Sequence, residues 1–162
     1  MKVSDLQGRE VVSLDKADKV GYVDHVLLDL NAGQSVAIEV KLLGLFSGDK
    51  ILPWSDIQSV GEDAVTIQNE EVLRDEKNSP LRDYPSASSI EGSKVMTQDG
   101  QDVGSVGDVD IDPGTGKVVA YLLKEGFLAS LAHNKREIPV ADIISISPNM
   151  IVVQNQAVRT VS

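Results

Sequence analysis

One sequence unit occurs twice in this chain. Leu6-x-Gly8-x-x-Val11 recurs as Ile90-x-Gly92-x-x-Val95, and Val20-Gly21-x-Val23-x-x-Val26 recurs as Val103-Gly104-x-Val106-x-x-Val109. Asp29-x-x-x-Gly33-x-x-Val36-Ala37 is repeated as Asp112-x-x-x-Gly116-x-x-Val119-Ala120, and Lys41 falls on Lys124. Beyond a loop of unequal length, Leu52-Pro53-x-x-Asp56-Ile57 matches Ile138-Pro139-x-x-Asp142-Ile143, and Val65-x-Ile67-Gln68-Asn69 matches Ile151-x-Val153-Gln154-Asn155. Order and spacing agree through the whole unit, so any fold assigned to one copy must serve the other. The repeat divides the chain into a first domain, 1–77, a linker, 78–89, and a second domain, 90–162. The linker stretch Asn78 to Ser89 holds two prolines and four serines, a composition typical of a connection.

The periodicity inside each unit is that of strands. Val36, Ile38 and Val40 alternate with Ala37, Glu39 and Lys41, and a β-branched run extends from Val20 to Leu30. Asn31-Ala32-Gly33 and Pro113-Gly114-Thr115-Gly116 carry hairpin turn chemistry, because glycine accepts positive φ without steric cost. Helix is invited only at Trp54-Ser55-Asp56-Ile57 and across 70–77. About six short strands in roughly 70 residues suit a closed or nearly closed antiparallel barrel, which leaves few exposed edges. The expected fold is all-β: two tandem small antiparallel β-barrels joined by a short linker, each curled around its own aliphatic core.

These residues resemble the PRC-barrel domains, named after the cytoplasmic domain of the photosynthetic reaction-centre H subunit and related to the C-terminal domain of a ribosome maturation factor. The resemblance rests on Leu6-x-Gly8-x-x-Val11-Val12, Val20-Gly21-x-Val23, Leu28-Asp29, Val36-Ala37-Ile38-Glu39-Val40 and Ile51-Leu52-Pro53-Trp54-Ser55-Asp56-Ile57, with the second copy as aligned above. The second copy has Val140 where Trp54 stands. The resemblance implies a non-catalytic docking or assembly module. It leaves three functional readings: a protein-binding scaffold or adaptor, an accessory factor in ribosome or RNA assembly acting through a protein partner, and a metal or small-ligand sensor.

Composition narrows the chemistry. The absence of cysteine removes disulfides, thiolate metal sites and cysteine nucleophiles together. The formal net charge of −10 opposes direct contact with nucleic-acid phosphates and favours a basic protein partner. No stretch approaches the roughly 18 apolar residues a spanning helix needs, so no membrane span is expected and a cytoplasmic location is the default. The two histidines, His25 and His133, occupy non-equivalent places and no Gly-x-Ser-x-Gly elbow accompanies them, so no enzyme and no cofactor are expected.

Three features remain as candidate sites. Asp108-x-Asp110-x-Asp112 before Pro113-Gly114 resembles the start of a calcium loop, but the twelfth position, where a bidentate glutamate belongs, is Val119. Strand alternation with Val109 and Ile111 turned inward accounts for the same spacing. Asp56 and Asp142 follow a proline by three residues in both copies, a position from which a carboxylate can cap a turn. The apolar loops, with Leu45 and Phe46 in the first copy and Phe127 and Leu128 in the second, together with Trp54, form the candidate partner-binding set. Loops of this character plug their own barrel, meet the sister unit or meet another chain, including a second copy in a homo-oligomer.

Overall fold

A computed structural model describes residues 1–44, 48–124 and 135–161. Each copy of the repeat opens with a single helical turn, α1 (Val3–Leu6) or α2 (Ala87–Ile90), and continues into seven strands. The first copy supplies β1 (Glu10–Ser13), β2 (Asp18–Asp29), β3 (Gln34–Leu42), β4 (Asp49–Pro53), β5 (Ile57–Val60), β6 (Ala64–Ile67) and β7 (Arg74–Asp75). The second supplies β8 (Lys94–Thr97), β9 (Asp102–Ile111), β10 (Val118–Leu123), β11 (Lys135–Pro139), β12 (Ile143–Ile146), β13 (Met150–Val153) and β14 (Arg159–Val161). They form two curled sheets of identical order, β5-β6-β1-β2-β3-β4-β7 and β12-β13-β8-β9-β10-β11-β14. The all-β tandem architecture expected from the repeat is therefore present. Pairing is antiparallel except between β1 and β6 and between β8 and β13, which run parallel.

The hairpin turns form as their residues dictate. Asp29 Oδ1 accepts the amide of Ala32 at 3.0 Å and Asp112 Oδ1 that of Gly114 at 2.8 Å. Gly33 and Gly116 then close the turns with φ of 63° and 76°. After Pro53 and Pro139 come 3-10 turns at Trp54–Asp56 and Val140–Asp142. Among the described residues the Asp56 and Asp142 side chains take no backbone amide of these turns; they lie 4.0 Å from Arg74 and 3.6 Å from Arg159, on the last strand of each sheet. Residues 70–78 give two 3-10 turns around β7 rather than one helix, since the charged run has no apolar stripe to bury.

Inward-facing positions of the repeat are the buried ones: Val11, Val23, Val26, Ile38, Leu52 and Val65 in the first copy, and Val95, Val106, Val109, Tyr121, Ile138 and Ile151 in the second. Each buried aliphatic side chain of this size contributes about 1.5–3 kcal/mol. The expectation of two separate cores fails, because these side chains form one contiguous cluster running from Val3 to Ala157. The cause is an exchange of N-terminal turns. The Met1 carbonyl accepts the amide of Ile111 on β9, and the Pro85 carbonyl accepts that of Leu28 on β2, both at 2.8 Å. Helix α1 thereby packs against β9, and α2 against β2. At the centre of the seam Gln34 faces Lys117, the Ser35 amide donates to Gly116 O at 2.8 Å, and the Val118 amide donates to Gly33 O at 2.9 Å. Every one of these contacts has a partner displaced by 83 or 84 residues, the signature of a two-fold related pair of units inside one chain.

The connection between the units is packed rather than loose. Leu81, in the 3-10 turn Pro80–Asp83, covers Leu27, Ala37 and Ile51 on the outer face of β2-β3-β4, and Ser79 beside it is buried. The same face of the second sheet carries Asp110, Ala120 and Glu137; there Asp110 accepts the Met1 amino group at 2.8 Å and Ala120 is buried. Val119, the counterpart of half-buried Val36, is 50% exposed.

Two substitutions test this packing. A Cβ on Gly116 would lie 2.6 Å from the Trp54 ring across the seam, whereas one on Gly33 would meet only Val140 at 3.9 Å. Gly116→Ala should therefore cost about 1–3 kcal/mol more than Gly33→Ala in urea denaturation. The excess should shrink in a Trp54→Val background, which leaves the contact with Gln34 Nε2 at 2.9 Å. Tyr121 stands where the first copy has Ile38; its ring is buried and its hydroxyl has no hydrogen-bond partner among the described residues, and burial pushes its phenol up to about 12. Stability that depends on a neutral phenol is complete below the unfolded-state value of about 10 and is lost as pH rises beyond it. Tyr121→Phe should raise stability by about 1 kcal/mol at neutral pH and flatten the alkaline limb of a pH–stability curve.

Candidate functional site

Two grooves follow from the seam. One, of about 560 Å³, lies between Trp54, Ile57 and Val60 of the first unit and Pro113 and Gly114 of the second. The other, of about 180 Å³, lies between Val140, Ile143 and Ile146 of the second unit and Leu30 and Ala32 of the first. They are the same place seen twice, since each sets the proline-turn strand of one unit against the hairpin of the other. Strands β5 and β12, which line them, end their sheets and, among the described residues, pair on one side only, with β6 and β13. Such strands leave a row of backbone donors and acceptors for a further strand. The grooves differ in character. Gln58 and Ser59 are the exposed middle residues of β5, whereas β12 presents Ile144, 47% exposed, beside Ser145.

Trp54 is thus placed at the seam, half-buried, with its ring on Gly116. Leu45, Phe46, Phe127 and Leu128, the other members of the expected partner-binding set, lie outside the described residues. Asp108, Asp110 and Asp112 are spread along β9 and into the turn. Asp108 accepts the hydroxyl of Ser4 on α1, Asp110 lies 2.8 Å from the Met1 amino group, and Asp112 holds the Gly114 amide. Each carboxylate has its own partner and the structure does not bring the three together around one point.

A different polar constellation emerges on the first sheet. Register runs Val23 opposite Val40, then His25 opposite Glu39, so Asp24 is an extra residue in β2. A bulge of this kind interrupts strand alternation and turns two successive side chains toward the same side. One ligand-capable atom each from Asp24, His25 and Glu39 falls within 4.8 Å of the others, and all three residues are half-exposed. His25 Nε2 lies 3.8 Å from Asp24 Oδ1, and His25 Nδ1 lies 3.4 Å from Ser88 Oγ of α2, which also accepts Gln7 Nε2 at 3.0 Å. Partial burial raises the Glu39 carboxyl, with the nearby His25 acting against that and Glu76, Asp24 and Asp49 adding to it. Among the described residues this is the one group of three or more acidic or histidine side chains gathered closely enough to share a cation. Alternation alone places Asp24 and His25 on opposite faces, so the constellation is invisible without the bulge.

The fold and its matches agree. A family model described as PRC-barrel domain matches residues 1–74 and again residues 83–158. The chain belongs to the PRC-barrel family and carries two copies of its domain in tandem. It is similar to the Bacillus subtilis (strain 168) protein named "Probable sporulation protein YlmC", 26% identical over 74 residues that cover 42% of this chain and 91% of that one. It is also similar to "Uncharacterized protein YmxH" of the same organism, 32% identical over 74 residues covering 41% of this chain and 87% of that protein. In each case the aligned length corresponds to one of the two units here. Among the described residues no helix is long and apolar enough to cross a membrane.

Because the chain has a single tryptophan and it lies on the seam, its emission reports directly on contact between units. With a common core, urea unfolding followed by Trp54 fluorescence and by far-ultraviolet circular dichroism should give coincident curves. Two separated transitions would show that the units unfold independently.

Proposed function

We propose that this protein is a non-catalytic adaptor that receives an extended segment of a partner protein along β12. The observation that carries this reading is Ile144: an exposed branched apolar side chain at the middle of an edge strand that pairs only with β13 among the described residues, at the mouth of an apolar groove formed with the hairpin of the other unit. An added strand would gain main-chain hydrogen bonds from the edge and seat alternate side chains in the groove. The acidic balance of −10 favours a segment rich in lysine or arginine. The companion groove at β5, larger and faced by Gln58 and Ser59, suits a more polar contact. The name of YlmC attaches one such module to sporulation. Carried to this chain, that name supports a role in sporulation.

Site-specific photocrosslinking separates this surface from an arbitrary one. A benzophenone amino acid in place of Ile144 should capture one defined partner from the native cell, and Ile144→Asp should abolish co-purification of that partner without altering Trp54 emission. The same probe at Val119, equally exposed on the other sheet face, should capture it poorly. Equal capture from both positions, or none from position 144, contradicts docking along β12.

A further inference from the structure

The internal two-fold provides a control for polar residues of the repeat, because a side chain required by the fold should reappear 83 or 84 positions away before the loop of unequal length and 86 positions away beyond it. The bulge of β2 does reappear: Leu123 pairs with Val106 and Leu122 with Asp108, leaving Gly107 as the extra residue of β9. So does the link from the opposite helical turn, as Ser88 to His25 in one copy and Ser4 to Asp108 in the other. The constellation itself does not. Where the first unit has Asp24, His25 and Glu39, the second has Gly107, Asp108 and Leu122. The barrel builds this bulge without a histidine and without a carboxylate on the facing strand, so the first unit's residues answer to something other than the fold.

We propose that Asp24, His25 and Glu39 form a binding site for a single divalent transition-metal ion of the zinc type, held through His25 Nε2 and one oxygen of each carboxylate. A mixed nitrogen and oxygen set suits zinc, at about 2.0–2.2 Å from each ligand. Calcium prefers six to eight oxygens, which three side chains including an imidazole do not supply. The ligand atoms lie within 4.8 Å of one another and belong to half-exposed side chains, which modest rotation brings to coordination distance. The His25 ring is already set for the task. Its Nδ1 faces Ser88 Oγ, which is steadied by Gln7, and in the tautomer that donates from Nδ1 to that hydroxyl the Nε2 lone pair lies on the side of Asp24, open to a metal ion. Outer partners of this kind are the usual orienting device for a metal-bound imidazole. Glu39 has no hydrogen-bond or ion-pair partner of its own among the described residues, and it shares its surroundings with Asp24, Asp49 and Glu76. A cation relieves that repulsion. With three protein ligands the ion keeps a position for water or for a donor atom of a partner.

Calorimetric titration of the full, chelator-stripped chain with zinc chloride tests the site. One ion should bind per chain, with excess calcium failing to displace it. His25→Ala and Glu39→Gln should each weaken binding at least roughly tenfold, Ser88→Ala by about tenfold, and Asp108→Asn not at all. A second reading needs no substitution: in proton NMR of the wild-type chain, zinc should shift the imidazole resonances of His25 and leave those of His133 in place. Absence of saturable binding, unchanged affinity in both His25→Ala and Glu39→Gln, or a zinc-induced shift confined to His133 would each overturn the assignment.

Discussion

The reciprocal exchange of N-terminal turns holds this molecule together. A unit of about 75 residues buries a modest fraction of its surface and is marginal by itself. Here each unit lends its opening turn to the other, bringing Val3 and Leu6 or Ala87 and Ile90 into a cluster common to both. Paired main-chain hydrogen bonds, Met1 to Ile111 and Pro85 to Leu28, then Ser35 to Gly116 and Val118 to Gly33, fix the register of the exchange. Because the units share a chain, their meeting is intramolecular and costs only the closure of a short connection.

The places where the two-fold breaks are the informative ones. Leu81 covers an apolar outer face on the first sheet, where the second sheet carries Asp110, paired with the Met1 amino group, and Glu137. Trp54 lines the larger groove and its counterpart Val140 the smaller, while the change from Gln58 to Ile144 makes the smaller one more apolar. Asp24, His25 and Glu39 have no counterpart as a set. Residues that obey the symmetry, such as Asp29 and Asp112 in the hairpin turns or Asp56 and Asp142 beside their arginines, maintain the fold. Those that depart from it are free to serve a ligand or a partner.

Much of the fold was legible because strand physics is local. Val20 to Leu30 and Val36 to Val40 announce a long hairpin, and the glycines at 33 and 116 announce its turn. What the sequence hid was geometry set at a distance. A single-turn helix such as Val3–Leu6 has no periodicity to read, and its place on β9 depends on a contact more than 100 residues away. The segment around Leu81 has the composition of a spacer, although one leucine at the right place makes it a lid over three apolar side chains. The metal constellation was hidden for a third reason: one inserted residue in β2 reverses the facing of everything beyond it, and no pattern of apolar and polar letters reports such an insertion.

A pair of separate, identical one-module chains related by a two-fold would receive every amino-acid change at two places simultaneously. Any cost at the axis would be doubled, and any newly acquired feature would come as a matched set. Covalent fusion of the units removes that coupling. Gly107 can stay small while Asp24 acquires a charge, and Val140 can remain slender while Trp54 fills the seam. The body that results has a left and a right that a visiting molecule can tell apart, so whatever settles on it does so in one orientation and in one copy.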